Sequence, residues 1–169
     1  SGIYDAMNIG LGYVKGEIIN FLNCGDYYTD INLLDEVLLE HVKEPHLIYA
    51  SRLQDNIANS INKKYTIGNL CHQSIFYNID SLGEIRFNTK YKLCADFDLT
   101  TKILYKFKSK KKLLYLNGTI FYDFTGISEK NTKQRLLEKR SIISKNLSLF
   151  FLKGLLSILK ITLKLWTKL

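Results

Sequence analysis

Apolar positions along the chain follow two periods, and the switches between them outline its elements. Ile3, Met7, Leu11 and Val14 fall near one face of a helix over residues 3–14, which Gly12 weakens. Beyond Gly16, Ile18, Ile19, Phe21 and Leu22 make the near-continuous run of a buried strand over 17–22. Ile31, Leu34, Val37, Leu38 and Val42 recur at helical spacing, so 30–42 is predicted as an amphipathic helix packed on a sheet. Pro45 stops that helix, and 47–50 opens a short strand. Residues 51–69 are polar and weakly periodic and read as loop. Residues 75–77 start another element, 91–93 lead into a helix over 95–106, and 113–122, with a break at Gly118, carries one or two strands. From Glu129 a long helix places Leu136, Leu137, Ile142 and Ile143 on a stripe and leads into 147–169, the most hydrophobic region. Strands interleaved with helices predict an α/β fold.

With 169 residues, 46% hydrophobic and one proline, the chain can build one core of ordinary size without a long linker. Its formal charge of +8 suits nucleic acid, anionic lipid or simple solubility, and the distribution separates these. Positive residues gather at Lys106, Lys108, Lys110, Lys111 and Lys112 and again in the last forty or so positions, with no nucleic-acid-binding signature beside them. A nucleic-acid partner is therefore not expected, and the run at 110–112 reads as a solvated loop or hairpin turn, with phosphate binding as the alternative. In the tail, Lys153, Lys160, Lys164 and Lys168 fall on one helical stripe opposite Leu155, Leu156, Leu159, Leu163 and Trp166. That pattern fits a helix lying on an anionic membrane surface, with packing against protein as the alternative. Cys24, Cys71 and Cys94 are odd in number and lack C-x-x-C spacing, so neither a disulfide framework nor a structural zinc site is expected, and a reducing cytosol fits.

Candidate chemistry concentrates where apolar runs end. The strand at 17–22 stops in Asn23-Cys24-Gly25-Asp26, which as bare sequence is either a ligand-holding strand end or a plain turn. Asp96 and Asp98 lie near the start of a helix, where a carboxylate is either a cap or a functional anion favoured by the helix dipole. His72 and Gln73 precede an apolar run, His41 and His46 flank Pro45 as surface or capping residues, and Asp5 and Asn8 are polar positions of the first helix.

Taken in order, four segments resemble the family 2 glycosyltransferases: Gly2 to Asn8 leading into the strand and its Asn23 to Asp26 turn, His72-Gln-Ser-Ile-Phe-Tyr77, Ala95-Asp-Phe-Asp-Leu99, and Asp123-Phe-Thr-Gly-Ile-Ser128. The nearest likeness is to the branch that builds bacterial surface polysaccharides. The resemblance implies a partial A-type nucleotide-diphospho-sugar transferase sheet flanked by helices over 1–128, followed by a helical, membrane-associated tail over 129–169. It implies transfer of a sugar from a nucleotide-sugar donor to a polyprenyl-linked or glycan acceptor, with inversion, at the cytoplasmic face of the cell membrane. Asp96 takes the catalytic-base position, with Ala95 where many relatives have Glu. Asp98, His72, Gln73, Asp5 and Asn8 take substrate-binding positions, and Asp26 with Asn23 would hold a divalent cation, Mg²⁺ or Mn²⁺. Asn23 and Gly25 stand where many relatives carry carboxylates. The first motif begins at residue 2, so the chain is expected to be the C-terminal part of a longer protein, inactive by itself; a non-catalytic remnant or partner subunit is the other reading.

Overall fold

The computed structural model describes residues 2–54, 70–106, 113–121 and 130–146. In chain order these form α1 (Ile3–Leu11), β1 (Ile18–Asn20), β2 (Tyr27–Tyr28), α2 (Leu33–Lys43), β3 (Ile48–Gln54), β4 (Ile75–Asn78), α3 (Ile79–Leu82), α4 (Ala95–Lys106) and β5 (Leu113–Phe121). A further helix, α5, covers 132–146. The segment 123–128, the lysines at 108–112, most of the loop read at 51–69 and the tail from 147 lie outside the described residues.

The strands make one mixed sheet in the order β1-β4-β3-β5-β2. The β3/β5 pair is parallel; β1/β4, β3/β4 and β2/β5 are antiparallel. Period-2 alternation sorts side chains to the two faces. Ile48 and Ala50 of β3 and Ile75 and Tyr77 of β4 point to one face, where they pack with Tyr4 and Met7 of α1 and Leu99 and Ile103 of α4. Tyr49 and Phe76 point to the other, against Leu33 and Val37 of α2 and Leu116 and Ile120 of β5. The sheet therefore lies between α1 and α4 on one side and α2 on the other, the layering expected of α/β chains.

Several boundaries differ from the sequence reading. The helix from Ile3 ends at Leu11 rather than 14, because the chain turns at Gly12. Of 17–22, only Ile18–Asn20 pairs as strand, since β4 offers three partners, Asn78 to Phe76. β3 runs on to Gln54, held by parallel pairing with β5 through Phe121. Residues 113–121 form one strand despite Gly118. There the β3/β5 register shifts between Ala50 and Arg52, and the Asn117 and Gly118 amides donate instead to Glu36 of α2 at 2.9 and 3.0 Å. A Cβ on Gly118 would lie 2.6 Å from Leu33 Cδ1, so only glycine admits α2 at this separation. On α5, Ile142 is buried against Cys94 and Phe97, whereas Leu136, Leu137 and Ile143 are exposed.

Candidate active site

The site lies where β1 ends and α4 begins. Asn20, the last residue of β1, donates through Nδ2 to Gln73 O and Ile75 O, both at 2.8 Å, and accepts the Tyr28 hydroxyl at 3.0 Å. One side chain thus fastens the strand end to the 3-10 turn His72–Ser74 that precedes β4. β4 in turn fixes α4, because the buried Tyr77 hydroxyl meets Thr100 Oγ1 at 3.0 Å while Leu99 and Ile103 enter the core. Desolvation raises the Tyr77 phenol well above its ordinary range, so it stays protonated in this contact.

These fastenings bring Asp96, in the first turn of α4, beside His72. Asp96 is buried; its Oδ1 accepts the Phe97 amide at 2.8 Å and the Tyr4 hydroxyl at 3.3 Å, and its Oδ2 lies 3.4 Å from His72 Nδ1. His72 Nε2 lies 3.2 Å from Asn23 Oδ1, and the Asn23 amide donates to Asp26 Oδ2 at 3.3 Å. Gly25 sits at φ +97°, a conformation that closes the 23–26 turn and disfavours a side chain. A chain of polar contacts therefore runs Asp26, Asn23, His72, Asp96, Tyr4. Burial, and next the negative charge of Asp96, raise the Tyr4 phenol far above its usual range and keep it a donor. Its ring stacks on Phe87 with centroids 5.5 Å apart.

The other expected site residues have different surroundings. Asp5 is exposed and lines an open cleft with Gly2, Tyr4, Thr89, Tyr91 and Lys92. Asn8 clamps the Phe87 backbone, its Nδ2 donating to Phe87 O at 2.9 Å and its Oδ1 accepting Phe87 N at 2.8 Å. Gln73 is buried, and its Oε1 accepts the Cys71 thiol at 2.6 Å. Asp98 is 1% exposed and faces Lys102, whose Nζ is 2.5 Å from Oδ2 but at an angle that leaves Oδ2 without an aligned hydrogen bond. The structure thus joins Asp26, Asn23, His72 and Asp96, leaves Asp5 at the adjoining cleft, and gives Asn8, Gln73 and Asp98 partners elsewhere.

Tyr4, Cys71 and Glu138 were missed by the sequence reading. Tyr4 shares a helical face with Met7 and Leu11, a cue that was present. Glu138 of α5 accepts the amides of Lys92, Leu93 and Cys94 at 3.0, 2.9 and 3.0 Å, which ties down the approach to α4. No local pattern announces a contact across more than forty residues.

The 23–26 turn can contribute one carboxylate, Asp26, and one amide oxygen, Asn23. That donor set is thin for an all-protein cage, but it suits Mg²⁺, which keeps waters and takes phosphate oxygens. Separately, Cys71 Sγ, a ring nitrogen of His72 and a carboxylate oxygen of Asp96 lie within 4.8 Å of one another.

No protein-family profile matches the chain. A PGL/p-HBAD biosynthesis glycosyltransferase of Mycobacterium tuberculosis is 26% identical over 149 residues, covering 82% of this chain and 57% of the relative. Its Mycobacterium bovis counterpart aligns with the same figures. The chain thus spans just over half the length of the curated relatives it matches. Among solved structures, S. aureus TarS 1-349 in complex with UDP-GlcNAc superposes with a TM-score of 0.62 at 15% identity, over 77% of this chain and 41% of TarS. The same protein in complex with UDP gives 0.56 at 15%, over 72% and 40%. With its mixed sheet between helices and its likeness to TarS, the chain has part of an A-type glycosyltransferase fold.

Proposed function

We propose that this chain carries the catalytic base and part of the donor site of an inverting glycosyltransferase of the family 2 type. The observation that carries this reading is the Asp96 carboxylate, buried at the start of α4 and held by Tyr4, Phe97 and His72 next to the cleft that Tyr4 and Asp5 line. In the transfer, the acceptor hydroxyl oxygen bonds to the anomeric carbon of the donor while its proton passes to Asp96. The bond from that carbon to the diphosphate oxygen breaks, its electron pair leaves with the nucleoside diphosphate, and the configuration inverts. Tyr4 and the Phe97 amide engage Oδ1, which fixes the carboxylate's orientation, and His72 couples it to the turn that carries Asp26. A divalent cation, held by Asp26 with Asn23 alongside, would supply positive charge for the departing diphosphate.

A nucleotide-sugar donor is supported by TarS, solved with UDP and with UDP-GlcNAc. A lipid-linked or glycan acceptor, in the setting of surface polysaccharide synthesis at the inner face of the membrane, completes the reading. Among the described residues no helix is long and apolar enough to cross a membrane, and the lysine stripe of 153–168 is the feature that would hold the protein at an anionic surface. Asp96→Asn keeps the size of the side chain and removes the base. Measured in the protein at its native length, turnover should fall by about 10²-fold or more with donor affinity nearly unchanged. Near-normal turnover would sink the assignment.

A further inference from the structure

We infer that Cys71, His72 and Asp96 form a site for a Zn²⁺-class transition metal, distinct from the hard-cation position at Asp26. Three ligand atoms, a thiol sulfur, an imidazole nitrogen and a carboxylate oxygen, lie within 4.8 Å of one another. In a tetrahedral zinc site, metal–ligand bonds of about 2.0 to 2.3 Å place ligands roughly 3.4 Å apart. His72 Nδ1 and Asp96 Oδ2 are already separated by 3.4 Å.

The imidazole's own partner supports the ligand role. His72 Nε2 lies 3.2 Å from Asn23 Oδ1, an oxygen that can accept the ring proton at that nitrogen, and in that tautomer Nδ1 presents its lone pair beside Asp96 Oδ2 for a metal to take. A metal ion between these two atoms would replace the ring proton that otherwise bridges them. Zinc-bound histidines recurrently carry the same outer contact, with the far ring N–H donated to an oxygen. Cys71 completes the trio from the adjacent residue: its thiol now donates to Gln73 Oε1 at 2.6 Å, and on metal binding that proton would leave to solvent as sulfur becomes a thiolate ligand. The fourth position stays open to water or an anion. A sulfur-nitrogen-oxygen set favours Zn²⁺ or Co²⁺ over Mg²⁺. Bound metal would occupy Oδ2 of the base and so suppress transfer; that consequence, unlike the site, rests on the function proposed above.

Titration of the purified chain with Co²⁺, with no donor present, tests the site directly. A thiolate-to-cobalt charge-transfer band in the near ultraviolet should rise to one equivalent, be displaced by Zn²⁺ and persist in excess Mg²⁺. Cys71→Ser should abolish the band, His72→Ala should weaken binding by about tenfold or more, and Cys24→Ser should leave it unchanged. Zn²⁺ should also raise the melting temperature of the parent chain but not of Cys71→Ser, which separates loss of the site from loss of the fold. No band, or a band that survives Cys71→Ser while vanishing in Cys24→Ser, would overturn the inference. Because the band needs neither donor nor acceptor, it can succeed or fail independently of the transfer reaction.

Discussion

Glu138 offers the most direct test of how α4 is held. Its carboxylate receives the Gln134 side chain at 3.1 Å and the backbone amides of Lys92, Leu93 and Cys94, the residues just before α4. The Gln134 and Lys92 contacts are exposed, so water replaces them when the carboxylate is removed. The part-buried Leu93 and Cys94 amides have no such substitute, and at about 1 kcal/mol net for each, Glu138→Ala should cost about 2 kcal/mol. The loss should lower the melting temperature by about 4–8 °C, and Glu138→Gln, which keeps one acceptor oxygen, by roughly half that. Chemical denaturation of the three proteins side by side measures the difference. A value for Glu138→Ala within about 0.5 kcal/mol of the parent, the range of an ordinary surface substitution, would refute the idea that this carboxylate anchors the segment. In the active protein the same variant should lower kcat more than it raises KM, since Asp96 lies two residues beyond the loosened amides and a small displacement of a base is costly.

Two further substitutions probe the packing that frames the site. Gly118→Ala should destabilise by about 1–3 kcal/mol, read from the denaturation midpoint, because its methyl would enter the space of Leu33 Cδ1 and Cβ; a neutral outcome would mean that α2 shifts freely. Burial, with the Asp96 charge next, pushes the Cys94 thiol up from 9.0 to about 12. Above pH 9 the unfolded chain therefore releases a proton that the folded chain keeps, and stability falls as pH rises from about 9 toward 12. The alkaline limb of a stability-versus-pH curve should be shallower in Cys94→Ala, and an unchanged slope would contradict the burial argument.

Local patterning was legible where each residue's environment followed from its neighbours in sequence. The helix Ala95–Lys106 and the strand at 75–78 match the reading closely, because Leu99 and Ile103 keep helical period and Ile75, Phe76 and Tyr77 are buried on both faces of a central strand. Edges were less legible: β1 is short because its length is set by pairing with β4, and β3 reaches Gln54 only because β5 lies beside it. Within the site, His72, Asp96, Asn23 and Asp26 stood out as polar groups at the ends of apolar runs. Tyr4 did not, since an aromatic residue at helical spacing looks the same whether it fills a core or donates to a buried carboxylate. Asn8 reads as an ordinary polar helix residue in the bare sequence, whereas in the structure its amide closes two hydrogen bonds on the Phe87 backbone, a demand that no local pattern expresses.

Asp98 shows how helical geometry decides between neighbouring carboxylates. Residues two apart on an α-helix point about 200° from each other, so Asp96 and Asp98 cannot both face His72. Asp96 takes the face of Leu99 and Ile103, which meets the sheet, and Asp98 is turned to Lys102 one turn on. Asp98→Asn should therefore act on stability. It removes a buried charge, but Lys102 is 35% exposed and can hydrate when its partner goes, so the loss should be about 1–2 kcal/mol rather than the 3–5 of a fully buried pair. Turnover of the folded variant should stay within a few-fold of the parent. If Asp98→Asn instead abolished transfer while leaving the denaturation midpoint unmoved, the carboxylate that matters would be the one facing Lys102, and α4 would have to turn by half its circumference to present it.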